Sequence, residues 1–245
     1  MIILRTIFAV ILLTTVSSAI EPEYLEYGGT AFLINSDGYM LTNQHIIKDC
    51  LSLNVANENG VKKSSAFVVA EDEDLDLAVI KTDIISEHFY PISQYGIEIL
   101  DEVTTAGFPD PWLDMKEEDI KLSAYRGYIS STGEYDDWDD YLEVDIYATK
   151  GQSGSPILNS TGEVIGVLSG AFHFEHQGTN MTDDKIKFIT SRIIAANLSW
   201  IVWFLDEYKI KYTDDGSISF LDTDDLIRTM RDATFSLTCN MAEKN

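Results

Sequence analysis

Gly151-Gln152-Ser153-Gly154-Ser155-Pro156-Ile157-Leu158 reads as a tight turn running into a buried strand. Two glycines bracket a serine, a proline closes the turn, and an apolar pair follows. Glycine reaches backbone angles that other residues resist, so such a turn can hold a serine hydroxyl at its apex. The amides of Gly151 and Ser153 can then point to one spot. An acyl-transfer nucleophile and its oxyanion hole need that geometry. Without a histidine and an aspartate in matching surroundings, it is only a turn.

The chain has four histidines, His45, His88, His173 and His176. His45 follows Leu41-Thr42-Asn43-Gln44 and precedes Ile46-Ile47, just past a strand and beside apolar residues. That is the rim of a barrel, where a lone histidine is usually structural. Asp76 stands directly ahead of the apolar run Leu77-Ala78-Val79-Ile80. A carboxylate at the mouth of a buried strand is partly desolvated and suited to orienting an imidazole. By itself it is one member of an acidic loop with Asp72, Glu73 and Asp74. The order His45, Asp76, Ser153 makes the three signals one.

The surroundings are β-rich. Thr30 to Ile34 is a strand stopped by the turn cluster Asn35-Ser36-Asp37-Gly38, and Tyr39 to Thr42 resumes as the second arm of a hairpin. Leu51–Val55, Ser65–Ala70, Leu77–Ile80, Val103–Gly107, Tyr125–Ser131, Tyr141–Tyr147, Pro156–Leu158 and Val164–Leu168 follow at short intervals. Many short strands separated by turns predict an all-β sandwich or barrel. After about Lys185 the pattern changes. Ile194, Leu198, Ile201, Phe204, Leu205 and Tyr208 fall at helical spacing within Ile193 to Tyr208. Asp222 or Thr223 can cap a last helix through Leu226, Ile227, Met230 and Phe235.

The first 19 residues have the form of a secretory signal. A weakly positive start, Met1 to Arg5, precedes the apolar Thr6 to Val16, and Ser17-Ser18-Ala19 offers a cleavage site. The uncharged run of about 15 residues is short of the roughly 20 a spanning helix needs, and no second stretch is long and apolar enough. The expected location is therefore secreted or periplasmic, with no membrane contact after signal removal. Formal net charge is -24, from 41 acidic and 17 basic side chains among 245 residues. Loss of Arg5 with the signal leaves about -25. That field repels nucleic acid and anionic lipid surfaces and would attract cationic peptides; it also serves solubility in a salty medium. Export makes a Cys50–Cys239 disulfide permissible, tying the C-terminal segment to the first half of the fold; the alternative is two unrelated buried thiols.

Together the motifs Gly29-Thr30-Ala31-Phe32-Leu33-Ile34, Asp37-Gly38-Tyr39-Met40-Leu41-Thr42-Asn43-Gln44-His45, Asp74-Leu75-Asp76-Leu77-Ala78-Val79-Ile80 and Gly151 to Pro156 resemble the trypsin-like serine peptidases. The nearest branches are the HtrA/Deg proteases and the V8-type glutamyl endopeptidases. Gly127-Tyr128-Ile129-Ser130 and Gly162 to Val167 resemble later strands of that fold. The likeness runs from about Gly28 to Ser169.

The resemblance implies two six-stranded antiparallel β-barrels with the site between them and a C-terminal helical tail. It implies a protease domain over residues 20–205, with barrel one at about 20–95 and barrel two at about 96–192, and a partly helical segment at 206–245. His45 would be the base, Asp76 its orienting carboxylate and Ser153 the nucleophile, with the Gly151 and Ser153 amides as oxyanion hole. The substrate would be a protein or peptide, and no cofactor is implied. Where the digestive members have an aspartate that pairs with a new N-terminus, this chain has Gln152, so activation by propeptide cleavage is not implied. Only about 40 residues follow Leu205, roughly half of a PDZ domain by ordinary domain sizes. The position that selects Lys or Arg in trypsin is Tyr147, and the glutamyl endopeptidases' histidine position is Leu168. Ala148 is expected to line the pocket, and Ser169, Gly170 and Ala171 to form the edge that pairs with substrate backbone. A small or apolar side chain is the expected preference.

A reading from another class is a catalytically silent binding module on the same fold. An esterase shares the chemistry, but the α/β-hydrolase order Ser, Asp, His is the reverse of the one here. No metal is expected. His173-Phe174-Glu175-His176 lacks the helical spacing and third ligand of a zinc site. Asp72-x-Asp74-x-Asp76 lacks the glycine and glutamate of a calcium loop, and the run Asp136 to Asp140 reads as a solvated loop. Asn159, Asn180 and Asn197 begin glycosylation sequons.

Overall fold

The structure is a computed structural model that describes residues 25–109, 121–132, 141–179, 185–214 and 222–241. Two closed barrels of six antiparallel strands form it, as the resemblance implies. Barrel one holds β1 (Leu25–Leu33), β2 (Tyr39–Thr42), β3 (Ser52–Ala56), β4 (Lys63–Asp72) and β5 (Leu77–Thr82). Barrel two holds β6 (Glu102–Gly107), β7 (Ser123–Ser131), β8 (Tyr141–Asp145), β9 (Pro156–Leu158), β10 (Val164–Thr179) and β11 (Lys185–Asn197). The sixth strand of barrel one, β12 (Thr234–Met241), comes from the far end of the chain.

The first hairpin shows how the sequence sets the fold locally. Asn35 Oδ1 accepts from the amides of Asp37 and Tyr39 at 3.0 and 3.3 Å, which turns the chain between β1 and β2. Ala31, Phe32, Leu33 and Ile34 are all fully buried, as are Leu77 to Ile80 on β5. Continuous apolar runs here mean strands covered on both sides, by the barrel interior and by neighbouring elements.

Two segments depart from the sequence reading. Ile193 and Ile194, expected to start a helix, lie on β11 and pair with Val144 and Glu143 of β8. The helix α2 begins later, at Leu198, and runs to Glu207. Its start is set by Asn197, whose side chain accepts from the Trp200 amide at 3.1 Å, so that sequon asparagine caps the helix rather than lying inside it. Barrel two accordingly extends to residue 197. The last helix, α3, covers Thr223–Ala233 with Asp222 as its cap, and Phe235 falls not on it but on β12. There Phe235, Leu237 and Cys239 point inward and are buried, alternating with half-exposed Ser236, Thr238 and Asn240. Among the described residues after 214, helix α3 is followed by a structural strand. β12 pairs with β1 over Leu25 to Phe32 and with β3 over Ser52 to Ala56.

Cys50 and Cys239 form a disulfide, with Cα atoms 5.4 Å apart. The bridge spans 189 residues of sequence. Chain-entropy reasoning credits such a closure with about 5 kcal/mol. It fastens β12 to the segment that follows His45. The candidate signal peptide, the acidic run at 136–140 and Asn180 lie outside the described residues, as do the side chains of His173 and His176.

Candidate active site

His45 sits on a single helical turn, α1 (Gln44–Ile47), between β2 and β3. Ile46 and Ile47 point into the core of barrel one and His45 is left facing out, its side chain 37% exposed. Gly29 makes this possible: a Cβ there would lie 2.4 Å from Ile46 Cδ1.

Asp76 meets His45 twice. Its carboxylate takes the ring, with Nδ1 at 2.9 Å from both Oδ1 and Oδ2. The same Oδ1 accepts from the His45 backbone amide at 3.0 Å. That amide lies in the first turn of α1, where backbone donors have no helical partner. One carboxylate therefore satisfies the helix start and fixes the ring. Asp76 reaches this position with φ at +52°, a left-handed conformation that aspartate tolerates better than most residues. Asn43, fully buried, holds it there: Nδ2 donates to the Asp76 carbonyl at 3.0 Å and lies 3.3 Å from Ser169 Oγ. Burial and the neighbouring carboxylates of Asp76 and Asp74 raise the phenol of Tyr141 above its ordinary range. Tyr141, at the start of β8, thus stands on barrel two within the field of the carboxylate on barrel one.

Ser153 is half-buried on the turn before β9. Gly151 and Gly154 have φ of +88° and +85°, angles open to glycine and costly to others. A Cβ on Gly154 would also lie 2.0 Å from the Thr30 carbonyl oxygen. The backbone of the turn is nearly fully used. Gln152 N–H donates to Thr149, Gly154 N–H to Leu168 and Ser155 N–H to Gln152. Among the described residues, the amides of Gly151 and Ser153 have no acceptor. Gln152 is buried and its Oε1 accepts from the Thr149 amide at 2.9 Å, so the loop is braced from within.

Ser153 Oγ donates to the carbonyl of Ser169 at 3.1 Å. That carbonyl is available because the β10–β11 register shifts between Leu168 and Gly170, leaving Ser169 out of the ladder. The remaining sequence candidates lie nearby in the chain with different exposures. Tyr147 is 63% exposed and its ring packs on Tyr125 with centroids 4.9 Å apart. Ala148 is half-buried against the core of barrel two, where Leu168 is buried outright. Gly170 is half-buried and Ala171 exposed. Sequence reasoning missed Asn43 and Thr30, which hold the site together. Asn43 carried a faint signal, a buried-type position filled by an amide two residues before the histidine.

Residues 29–167 match the family described as trypsin-like peptidase domain, more than half of the chain. The chain belongs to this family. As a trypsin-like peptidase it has relatives named "Probable periplasmic serine endoprotease DegP-like". The one from Rhizobium meliloti strain 1021 is 34% identical over 146 residues, covering 59% of this chain and 28% of the relative. That of Chlamydia trachomatis serovar D is 32% identical over 147 residues, covering 57% and 27%. The crystal structure of the serine endoprotease from Yersinia pestis superposes with a TM-score of 0.56 at 25% identity, covering 74% of this chain and 57% of that one. This trypsin-like peptidase spans less than a third of the length of these curated relatives.

Proposed function

We propose that the chain is an exported serine endopeptidase that cleaves peptide bonds through an acyl-enzyme intermediate. The observation that carries this reading is the Asp76 carboxylate holding both the ring and the backbone amide of His45. With Nδ1–H donated to Asp76, Nε2 is left as a base, the tautomer that nucleophilic attack requires. Ser153 would attack the carbonyl carbon, passing its proton to His45 Nε2. The Gly151 and Ser153 amides would take the oxyanion. His45 would return the proton to the leaving amine, and water would release the acyl group by the same route. The Ser153 hydroxyl donates to Ser169, so attack needs a change of its rotamer toward His45. Catalytic hydrogen bonds are often loose before substrate binds. Relatives named as periplasmic endoproteases and the signal-like first 19 residues support export.

A fluorophosphonate probe tests the chemistry. Wild-type protein should be labelled stoichiometrically and Ser153→Ala not at all. Folded wild type that resists the probe would instead support the silent binding module.

For specificity, the exposed phenol of Tyr147 gives no fixed anion to pair with Lys or Arg. Leu168, in the barrel core, gives no cation for Glu. A small or apolar residue before the scissile bond, against Ala148, is the expected preference, with substrate backbone along Ser169, Gly170 and Ala171. Fluorogenic peptides varied at that residue should show it; cleavage confined to Arg would refute it.

A further inference from the structure

Thr30 lies on β1 of barrel one and is fully buried, yet its hydroxyl and amide reach groups of barrel two. Its hydroxyl donates to the carbonyl of Gly151 at 2.9 Å and accepts from the amide of Phe108 at 3.0 Å. Its own amide donates to the carbonyl of Ser153 at 2.8 Å. Its carbonyl accepts from Thr42 Oγ1 at 2.7 Å and lies against Gly154, with no room for a side chain between. One residue thus grips the carbonyls of Gly151 and Ser153, the two residues whose amides meet no acceptor among the described residues.

We propose that Thr30 is the positioning residue that keeps the oxyanion turn formed in the absence of substrate; this rests on the serine-peptidase reading above. The physical case is about peptide planes. Each peptide unit is rigid, so a turn changes shape by rotating whole planes between its Cα atoms. Gly151 is the residue of this turn best able to allow such a rotation, because glycine crosses φ/ψ space at little cost. The plane between Gly151 and Gln152, whose carbonyl Thr30 holds, adjoins the Lys150–Gly151 plane that carries the Gly151 amide and the Gln152–Ser153 plane that carries the Ser153 amide, so its rotation would leave both of these free to turn. The Thr30 hydroxyl opposes that rotation from the Gly151 side, and the Thr30 amide does so from the Ser153 side. The hydroxyl's other bond, from Phe108 N–H at the end of β6, fixes the hydroxyl itself. Its single proton is therefore committed to Gly151. The amide of a residue in this position could be supplied by any residue except proline; the hydroxyl could not.

Thr30→Val keeps the shape and removes the hydroxyl, leaving the Phe108 donor and the Gly151 acceptor buried without a partner. Thr30→Ser keeps the hydroxyl. Kinetics on a fluorogenic peptide should show kcat for Thr30→Val reduced on the order of 100-fold, the size of losing an oxyanion donor. KM should change by less than about threefold, since the hole acts on the transition state. Thr30→Ser should recover kcat to within about threefold of wild type. Peptide affinity measured on a Ser153→Ala background should not respond to Thr30→Val. A purely structural role would instead lower thermal stability and leave the folded fraction's kcat intact. Wild-type kcat in a folded Thr30→Val, or a Thr30→Ser as slow as Thr30→Val, overturns the proposal. Should Thr30→Val not fold, Thr30→Ala decides, because it leaves space for a water to join the two backbone groups; unchanged kcat there overturns it equally. Wild type that fails to react with the fluorophosphonate rejects the underlying peptidase reading instead, so the two failures are separable.

Discussion

Asp76→Asn should lower kcat about ten-thousand-fold while leaving the fold intact. The backbone decides which way the new amide points. Oδ1 of Asp76 accepts from the His45 N–H, so the asparagine must keep its oxygen there to avoid two donors meeting. Its NH2 group then faces His45 Nδ1, where the carboxylate oxygen Oδ2 stood at 2.9 Å. Oδ1, also 2.9 Å from Nδ1, already serves the His45 amide, so the NH2 donor favours Nδ1 as an acceptor. The ring proton moves to Nε2, and the nitrogen that should receive the Ser153 proton is already occupied. Steady-state turnover of a peptide substrate, with a thermal melt as control, checks this. Turnover within tenfold of wild type would remove Asp76 from the mechanism.

A chain stopped after Ala233 should have no folded barrel one. Such a truncation removes β12 and with it the buried Phe235, Leu237 and Cys239. Burying side chains of the Leu and Phe type contributes about 1.5–3 kcal/mol each. Their loss alone approaches the roughly 5–15 kcal/mol that keeps most domains folded. The disulfide goes with Cys239, and β1 and β3 gain open edges in place of their partner. Aggregation on expression and no probe labelling are the expected results. A monomeric truncated protein with native circular dichroism would show that barrel one closes without β12.

The fold was legible because its local signals agreed. The Asn35–Gly38 turn, the apolar run after Asp76 and the glycines around Ser153 each describe their own geometry within a few residues. The candidate site residues stood out for the same reason: His45 follows the end of β2, while Asp76 and Ser153 stand just ahead of β5 and β9. What sequence did not disclose was partnership across distance. Ile193 and Ile194 satisfy a helical period running into α2, and only pairing with β8 makes them strand. Phe235, Leu237 and Cys239 do alternate, a two-residue period visible in the sequence, but nothing local says that their partners are Leu25 to Phe32. Nothing local to Thr30 signals its role, since its hydroxyl donates to Gly151, 121 residues away.

Synthesis delivers a chain from its N-terminus, at about 5–20 residues per second. All six strands of barrel two lie between Glu102 and Asn197, so that half has its full set while α3 and β12 are still to come. Barrel one, which carries His45 and Asp76, waits for residue 241. The nucleophile turn waits with it, since its two carbonyls are gripped by Thr30 of β1. For the peptidase proposed above, assembly in this order would impose a delay. A product released before β12 would then lack the closed barrel that holds His45 and Asp76. The last strand would in this sense set the moment at which the candidate site is complete.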